Sequence, residues 1–581
     1  MRGYRIFLAL LLLESIAMTE PIEIEAESPA SASIAGYDRR AGAAHQSRSV
    51  VIARHGMVAT SHPLAAQVGL DVLKSGGNAA DAAIAVNAML GVVEPMSCGI
   101  GGDLFAIYWD SKTKRLYGLN ASGRSPRRLS RDLFAQRELE AIPTEGPLSW
   151  SVPGCVSGWE ELRSRFGSRD LEGLLRPAME TAREGFPVTQ IIADYWREQE
   201  QSLRKWPDSA DTYLPRGRAP REGEIFRNPR LAQSYQLLAK QGCEAFYSGQ
   251  LAQRIVDFSQ ANGGFFSRQD FADHRCEWVE PVMTSYRDHQ VWELPPNGQG
   301  IAVLQILNLL EPYDLSKLGP GHPEYLHLLL EAKKLAFADR AKFYADPAFA
   351  KLPVEELISK DYAQRRGKLI DRQRAADNLP PGDPRLAHGD TVYLTVVDKD
   401  RNCCSLIQSI YSSFGSQVVP GELGFAIQNR GALFSLDSSH LNRLEPHKRP
   451  FHTIIPAMVT HEGRPWFCFG VMGGDMQPQG HVQLLVNLLD FKMNVQLAGD
   501  AARVQHNGSA TPTGQAGSGV GTVLVESGIS DAAIDRLRQK GHHVQRSRGG
   551  FGGYQGILID WQAGTLHGGT EARKDGVAVG Y

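Results

Sequence analysis

Residues 371–389 carry Asn378-Leu379-Pro380-Pro381-Gly382-Asp383-Pro384 and run without a break into Asp390-Thr391-Val392-Tyr393-Leu394-Thr395-Val396-Val397-Asp398. Clustered proline and glycine exclude a regular element from the first segment, which reads as an exposed linker. The β-branched run after it reads as a strand, and Lys399-Asp400-Arg401-Asn402 as a hairpin turn from which Cys403 to Ile410 returns. An exposed linker that feeds directly into a buried strand pair is the largest discontinuity in the chain. Cys403 and Cys404 are adjacent, so on a strand they point to opposite faces, and both are expected to be packing residues.

Elsewhere the chain reads as a mixture of helices and strands. Apolar residues recur at helical spacing from Ser61 to Leu73, Lys74-Ser75-Gly76-Gly77 stops that helix, and Asn78 caps another through Ala79 to Val86. Its alanine content implies close helix packing. Gly99-Ile100-Gly101-Gly102-Asp103 precedes a strand, Leu104 to Trp109. A dinucleotide fingerprint has the reverse order, glycines after a strand and opening a helix, so a nucleotide site is not supported. Residues 156–260 are helix-rich and polar, residues 293–301 form a breaker cluster before a helical pattern, and Pro323 opens a helix that ends near Asp346-Pro347. Two more helical stretches fall around His481–Asp490 and Ser530–Lys540.

Composition narrows the function classes. Of 581 residues, 62 are Lys or Arg and 64 are Asp or Glu, a net charge of −2, which gives no global attraction to nucleic acid. The seven cysteines are odd in number and widely spaced without C-x-x-C, which argues against a zinc ribbon, a thioredoxin-like motif or a full disulfide framework. Arg2 and Arg5 precede an apolar run, Ile6 to Leu13, like the charged and hydrophobic parts of a secretory signal. Glu14 ends that run early, so an unstructured extension in a cytoplasmic protein is the alternative to a secreted or periplasmic one. No later run approaches the roughly 18 apolar residues of a membrane span.

Familiar catalytic strings are missing: there is no G-x-S-x-G elbow, H-E-x-x-H helix or phosphate loop. His55, His62, His452, His481, His542 and His543 lack ligand spacing and are read as surface or core residues, so neither a metal nor a cofactor is expected. What remains is the Asp390-Thr391 junction. A threonine serves as nucleophile when its own α-amino group is its base, which requires cleavage of the preceding peptide bond.

Thr391 to Asp398 followed by Ser412-Ser413-Phe414-Gly415 resembles the gamma-glutamyltranspeptidase (glutathione hydrolase) family. So do Ser61-His62-Pro63 through Gly76-Gly77-Asn78-Ala79-Ala80-Asp81-Ala82, Gly101-Gly102, Gly473-Gly474 and the tail from Glu571 to Tyr581. The resemblance runs from about residue 50 to the last residue. It implies an α+β fold, the four-layer αββα sandwich of the N-terminal-nucleophile hydrolases, made as one precursor that cuts itself into two subunits. The division is then a signal-like extension over 1–48, a large subunit over 49–390 and a small subunit over 391–581.

Carried over by position, Thr391 is the nucleophile, Asp390–Thr391 the cleavage site, and Ser409 the second hydroxyl that bonds the nucleophile. Gly473 and Gly474 match the pair whose N–H groups form the oxyanion hole. The implied function is that of a self-processing threonine amidohydrolase acting on gamma-glutamyl or related carboxylate-bearing acyl amides, with water or an amine as acceptor. The alternatives are a glutaryl- or cephalosporin-acylase-like amidase and a binding protein that keeps only the fold.

Acyl recognition departs from the family pattern. Where it has Asn, Gln and Asp for the glutamyl ammonium, this chain carries Tyr411, Arg430 and Leu433. A cation at Arg430 repels an ammonium at ~4 Å by about 4 kcal/mol at an effective dielectric of about 20. The usual Ser-Ser carboxylate contact is His452-Thr453, and the carboxylate-binding arginine is matched, displaced by two residues, by Arg124. The pattern resembles the acylase branch, with Arg430 or Arg124 as the partner of a substrate carboxylate.

Overall fold

The structure is a computed structural model that describes residues 48–377, 389–509 and 511–581. The signal-like segment and most of the linker before Asp390 lie outside the described residues.

Two seven-stranded sheets form the centre of the molecule. One runs, in spatial order, Val577–Gly580, Met57–Thr60, Gly389–Val397, Cys403–Ser412, Asp103–Asp110, Arg115–Ala121 and Glu277–Val279. The other runs Val51–Ala53, Thr565–Thr570, Gly553–Asp560, Arg464–Met472, Ala457–His461, His289–Glu293 and Val282–Tyr286. All the pairings within both are antiparallel. Each sheet combines segments from both sides of residue 390.

Three apolar cores stack through the molecule. Between the sheets lie Met57, Phe105, Ile107, Tyr393 and Ile407 from the first against Met458, Cys468, Met472 and Ile557 from the second. Outside the first sheet, helices Pro63–Lys74, Ala79–Val93, Cys155–Phe166 and Leu171–Glu184 cover Val392, Leu394 and Val396. Outside the second, Ile301–Leu310, Pro323–Phe343 and Met476–Leu489 cover Val459, Phe467, Phe469 and Val471. The layers are therefore helix, sheet, sheet, helix. A sheet buried on both faces needs apolar residues at successive positions, which is why Val392 to Val397 reads as a continuous run.

The hairpin expected at Lys399–Asn402 joins Gly389–Val397 to Cys403–Ser412, with Val397 opposite Cys403. Cys403 faces the inter-sheet core and Cys404 the outer helices, and neither forms a disulfide. Asp398 ties this turn to the helix layer: Oδ1 accepts from Asp400 and Asn402 N–H, and Oδ2 accepts from Ala79 N–H at the start of Ala79–Val93. Asn78 caps the same helix, accepting from Ala80 and Asp81 N–H while Asp81 accepts from Asn78 N–H. The helix is buried along its whole length. A Cβ on Gly69 would lie 2.5 Å from Val86 Cγ2, so helix Pro63–Lys74 approaches it this closely because residue 69 has no side chain.

Candidate active site

Thr391 sits at a break in the strand ladder. Pairing steps from Asp390 opposite Tyr411 to Val392 opposite Gln408, so Thr391 alone faces both Ser409 and Ile410. Such a bulge re-aims side chains locally. Here Thr391 Oγ1 donates to Ser409 Oγ at 3.3 Å, and Ser409 Oγ also accepts from Tyr411 N–H at 2.8 Å. Tyr411 takes a left-handed φ of +78° as the chain leaves the bulge. Gly102 packs beneath: a Cβ there would lie 2.3 Å from Ser409 O, so the strand carrying Ser409 comes this close only because residue 102 has no side chain.

Gly473 and Gly474 lie between strand Arg464–Met472 and helix Met476–Leu489, with φ of +116° and +56°. Both values are costly for other residues. Gly473 O accepts from Met476 N–H at 3.0 Å. Gly474 O accepts from Gln477 N–H at 3.2 Å and from Gln299 Nε2 at 2.9 Å.

Tyr411, Arg430, His452 and Thr453 come together around a buried cation. Arg430 is 0 % exposed; its Nη1 donates to Thr453 Oγ1 at 2.6 Å, and its guanidinium lies 4.9 Å from the Tyr411 ring centroid. Its Nε and Nη2 have no hydrogen-bond partner among the described residues. Burial lowers its pKa to about 10, partly opposed by the Asp103 carboxylate, so it is charged at neutral pH. His452 Nε2 donates to Asp103 Oδ2 at 2.8 Å, because a carboxylate only accepts. Its Nδ1 has no partner among the described residues, and burial, then the Arg430 charge, lowers the imidazole to about 4. Leu433 is buried in the apolar core outside the second sheet.

Arg124 is placed differently. Its Nη2 is paired with Glu277 Oε1 at 3.0 Å, and Arg449 Nη1 reaches the same oxygen at 2.6 Å.

Several residues that hold the site were not singled out from the sequence. Asp103 Oδ1 accepts from Gly123 N–H, Gly154 N–H and Gln428 Nε2, so one buried carboxylate fixes three loops as well as His452. Gln299, Arg340 and Asp475 form a second linked set, with Arg340 Nη1 2.6 Å from Gln299 Oε1 and 2.6 Å from Asp475 Oδ1. Asp103 and Asp475 each directly follow a glycine pair, the one local signal available. Away from the site, ligand-capable atoms of His327, Glu331 and His542 lie within 4.8 Å of one another. Both Glu331 oxygens are taken there, by Lys334 Nζ and Ala376 N–H. Among the described residues no helix is long and apolar enough to cross a membrane.

A four-layer αββα sandwich is the architecture of the N-terminal-nucleophile hydrolases. Residues 65–581 match the family model for gamma-glutamyltranspeptidase. The chain is 40% identical over 535 residues to the glutathione hydrolase-like YwrD proenzyme of Bacillus subtilis (strain 168), covering 91% of this chain and 99% of that one. It is 36% identical to the acylase ACY 1 proenzyme of Pseudomonas sp. (strain SE83), over 90% of this chain and 93% of the relative. The crystal structure of a cephalosporin acylase from Bacillus halodurans superposes with a TM-score of 0.86 at 41% identity, covering 94% and 99% of the two chains. The protein belongs to the gamma-glutamyltranspeptidase family, and it is an amide-cleaving enzyme of that family.

Proposed function

We propose that the chain is a self-processing threonine amidohydrolase whose preferred acyl donor carries a carboxylate and no ammonium beside it, as a glutaryl amide does. The observation that carries the reading is the unspent Nε–Nη2 edge of Arg430. A buried guanidinium with two unused donors is costly, and a substrate carboxylate accepts from both at once. A γ-glutamyl donor would bring its ammonium toward the same cation, so γ-glutamyl transfer and glutathione hydrolysis are the slower activities. Arg124, already paired with Glu277, is the weaker candidate for this role.

Processing begins with Thr391 Oγ attacking the Asp390 carbonyl. An N→O acyl shift gives an ester, and water cleaves it to leave a large subunit that ends at Asp390 and a small subunit of residues 391–581. The freed α-amino group, with an ordinary pKa near 8, accepts the Oγ proton as Oγ attacks the substrate amide. Gly473 and Gly474 N–H groups take the developing oxyanion, where one donor is worth ~3 kcal/mol of barrier. The leaving amine takes the proton back, and water or an amine releases the acyl group. Ser409 orients Thr391 Oγ throughout.

Two measurements test this. Intact mass and N-terminal sequencing should find a fragment beginning at Thr391, absent from Thr391→Ala, with activity lost by about 10⁴-fold or more in that variant. Glutaryl and γ-glutamyl anilides should then be cleaved with glutaryl favoured. A single uncut chain in both proteins would leave a binding protein as the reading; a marked γ-glutamyl preference would reverse the assignment of Arg430.

A further inference from the structure

We infer that Gln299 is a specificity-determining positioning residue: one buried amide sets the spacing between the oxyanion loop and the acyl anchor, and so the acyl length the enzyme cleaves. Gln299 is fully buried at the start of helix Ile301–Leu310. Its Nε2 donates to two carbonyls on separate loops, Gly474 O at 2.9 Å and Thr453 O at 2.7 Å. Its Oε1 accepts from Arg340 Nη1 at 2.6 Å. The orientation is unambiguous, since carbonyls only accept and a guanidinium only donates.

Both ends of this bridge matter to the reaction. Gly473 and Gly474 leave consecutive soft dihedrals in the loop that supplies the oxyanion donors. Met476 N–H holds the peptide plane between the glycines, and Gln299 with Gln477 N–H holds the plane after them. At the other end, Thr453 carries the hydroxyl that accepts from Arg430. The amide therefore couples the place where charge develops on the scissile carbonyl to the cation that takes the distal carboxylate.

Arg340 makes the bridge stiff. It is fully buried, pairs with Asp475 through 2.6 and 2.9 Å contacts, and lies 3.8 Å from the Phe337 ring centroid. Asp475 immediately follows Gly474, so the same arginine grips the oxyanion loop directly and through Gln299. Gln299 and Arg340 come from before residue 390 and the two loops from after it.

The inference rests on the proposed roles of Arg430 and Gly473–Gly474, and the test separates the two. Anilides of succinic, glutaric and adipic acid are compared on the full-length protein, its Arg430→Met variant, and Gln299→Met and Gln299→Glu. Glutamate keeps the Arg340 contact but turns an acceptor toward both carbonyls. The wild type should prefer one length by about tenfold over its neighbours. Both Gln299 variants should lose about 10–100-fold in kcat, the scale of a misplaced oxyanion donor, while KM for the preferred donor moves less than about threefold. The length preference should flatten to within about threefold.

Folding is checked by thermal melting. Should neither Gln299 variant fold, Asp475→Asn, at a side chain that is 26% exposed, must flatten the same preference. A folded Gln299 variant, or failing that Asp475→Asn, with the wild-type length ratio overturns the inference alone. Unchanged rates on all three anilides in Arg430→Met overturn the anchoring role and the inference with it.

Discussion

The two ends of the candidate site are built on opposite principles. At the proposed cleavage end, Thr391, Ser409, Gly473 and Gly474 are placed by backbone shape: a bulge, two glycines with positive φ and a hydroxyl pair. At the acyl end the shape is ordinary and the charge is not. There a fully buried arginine has two donors without a partner among the described residues, and a neutral histidine leans on a buried aspartate. Chemistry common to a family needs fixed geometry, which small residues and strand register supply. Substrate choice needs a charge whose partner arrives with the ligand, and that is an arrangement close relatives can vary.

The largest effect that would sharpen this contrast is expected from Arg430→Met. It should cost carboxylate-bearing donors about 10²–10³-fold in kcat/KM, in line with truncating a buried charge pair, and leave uncharged acyl donors nearly untouched. Because it removes an unpaired buried cation, melting temperature should hold or rise. Equal losses on charged and neutral donors would break the distinction between the two ends.

Ser409→Ala should act on all donors alike, lowering kcat about tenfold through one lost hydrogen bond to Thr391, with Ser409→Thr restoring it. A donor-dependent loss would assign Ser409 to recognition. Gly102→Ala drives a Cβ into Ser409 O and Gln408 Nε2. It should destabilise by about 1–3 kcal/mol, read by chemical denaturation, without altering donor preference.

The last test is pH, which acts on the whole fold and not on one end of the site. Burial lowers His62 and His452 to about 4 and His274, His481 and His542 to about 3. The folded chain keeps these rings neutral where the unfolded chain takes up protons near pH 6.5. Their contribution is therefore level above pH 6.5 and becomes destabilising as pH falls toward 3, by at most about 1.4 kcal/mol per unit for each ring. Melting temperature should drop steadily from pH 7 to 5; a flat profile would mean that the rings charge within the fold.

Local pattern made much of this readable in sequence. The hairpin from Thr391 through Cys403, the capped helix after Asn78 and the glycine pairs each announce themselves within a few residues. Helix Met476–Leu489 begins five residues before the stretch expected from His481, because Gln477, Pro478, Gln479 and Gly480 mask an apolar face. Contacts between distant segments leave no such mark. His452 meets Asp103 across 349 residues and Gln299 meets Gly474 across 175, and nothing near either residue announces its partner. Arg430 stood out only against a family pattern, and its unused donors are visible only in three dimensions.

The mixing of segments from either side of residue 390 in both seven-stranded sheets has a kinetic consequence. Strands Met57–Thr60 and Asp103–Asp110 flank Gly389–Val397 and Cys403–Ser412, and in the other sheet Val51–Ala53 and His289–Glu293 flank four strands from beyond residue 390. Neither piece of a chain cut at that point contains either seven-stranded sheet whole. Before the cut, folding is a one-chain reaction at any dilution. After the proposed cut it would be a two-body one, so a molecule cut there that unfolds in dilute solution would have lost the covalent connection that assembled it.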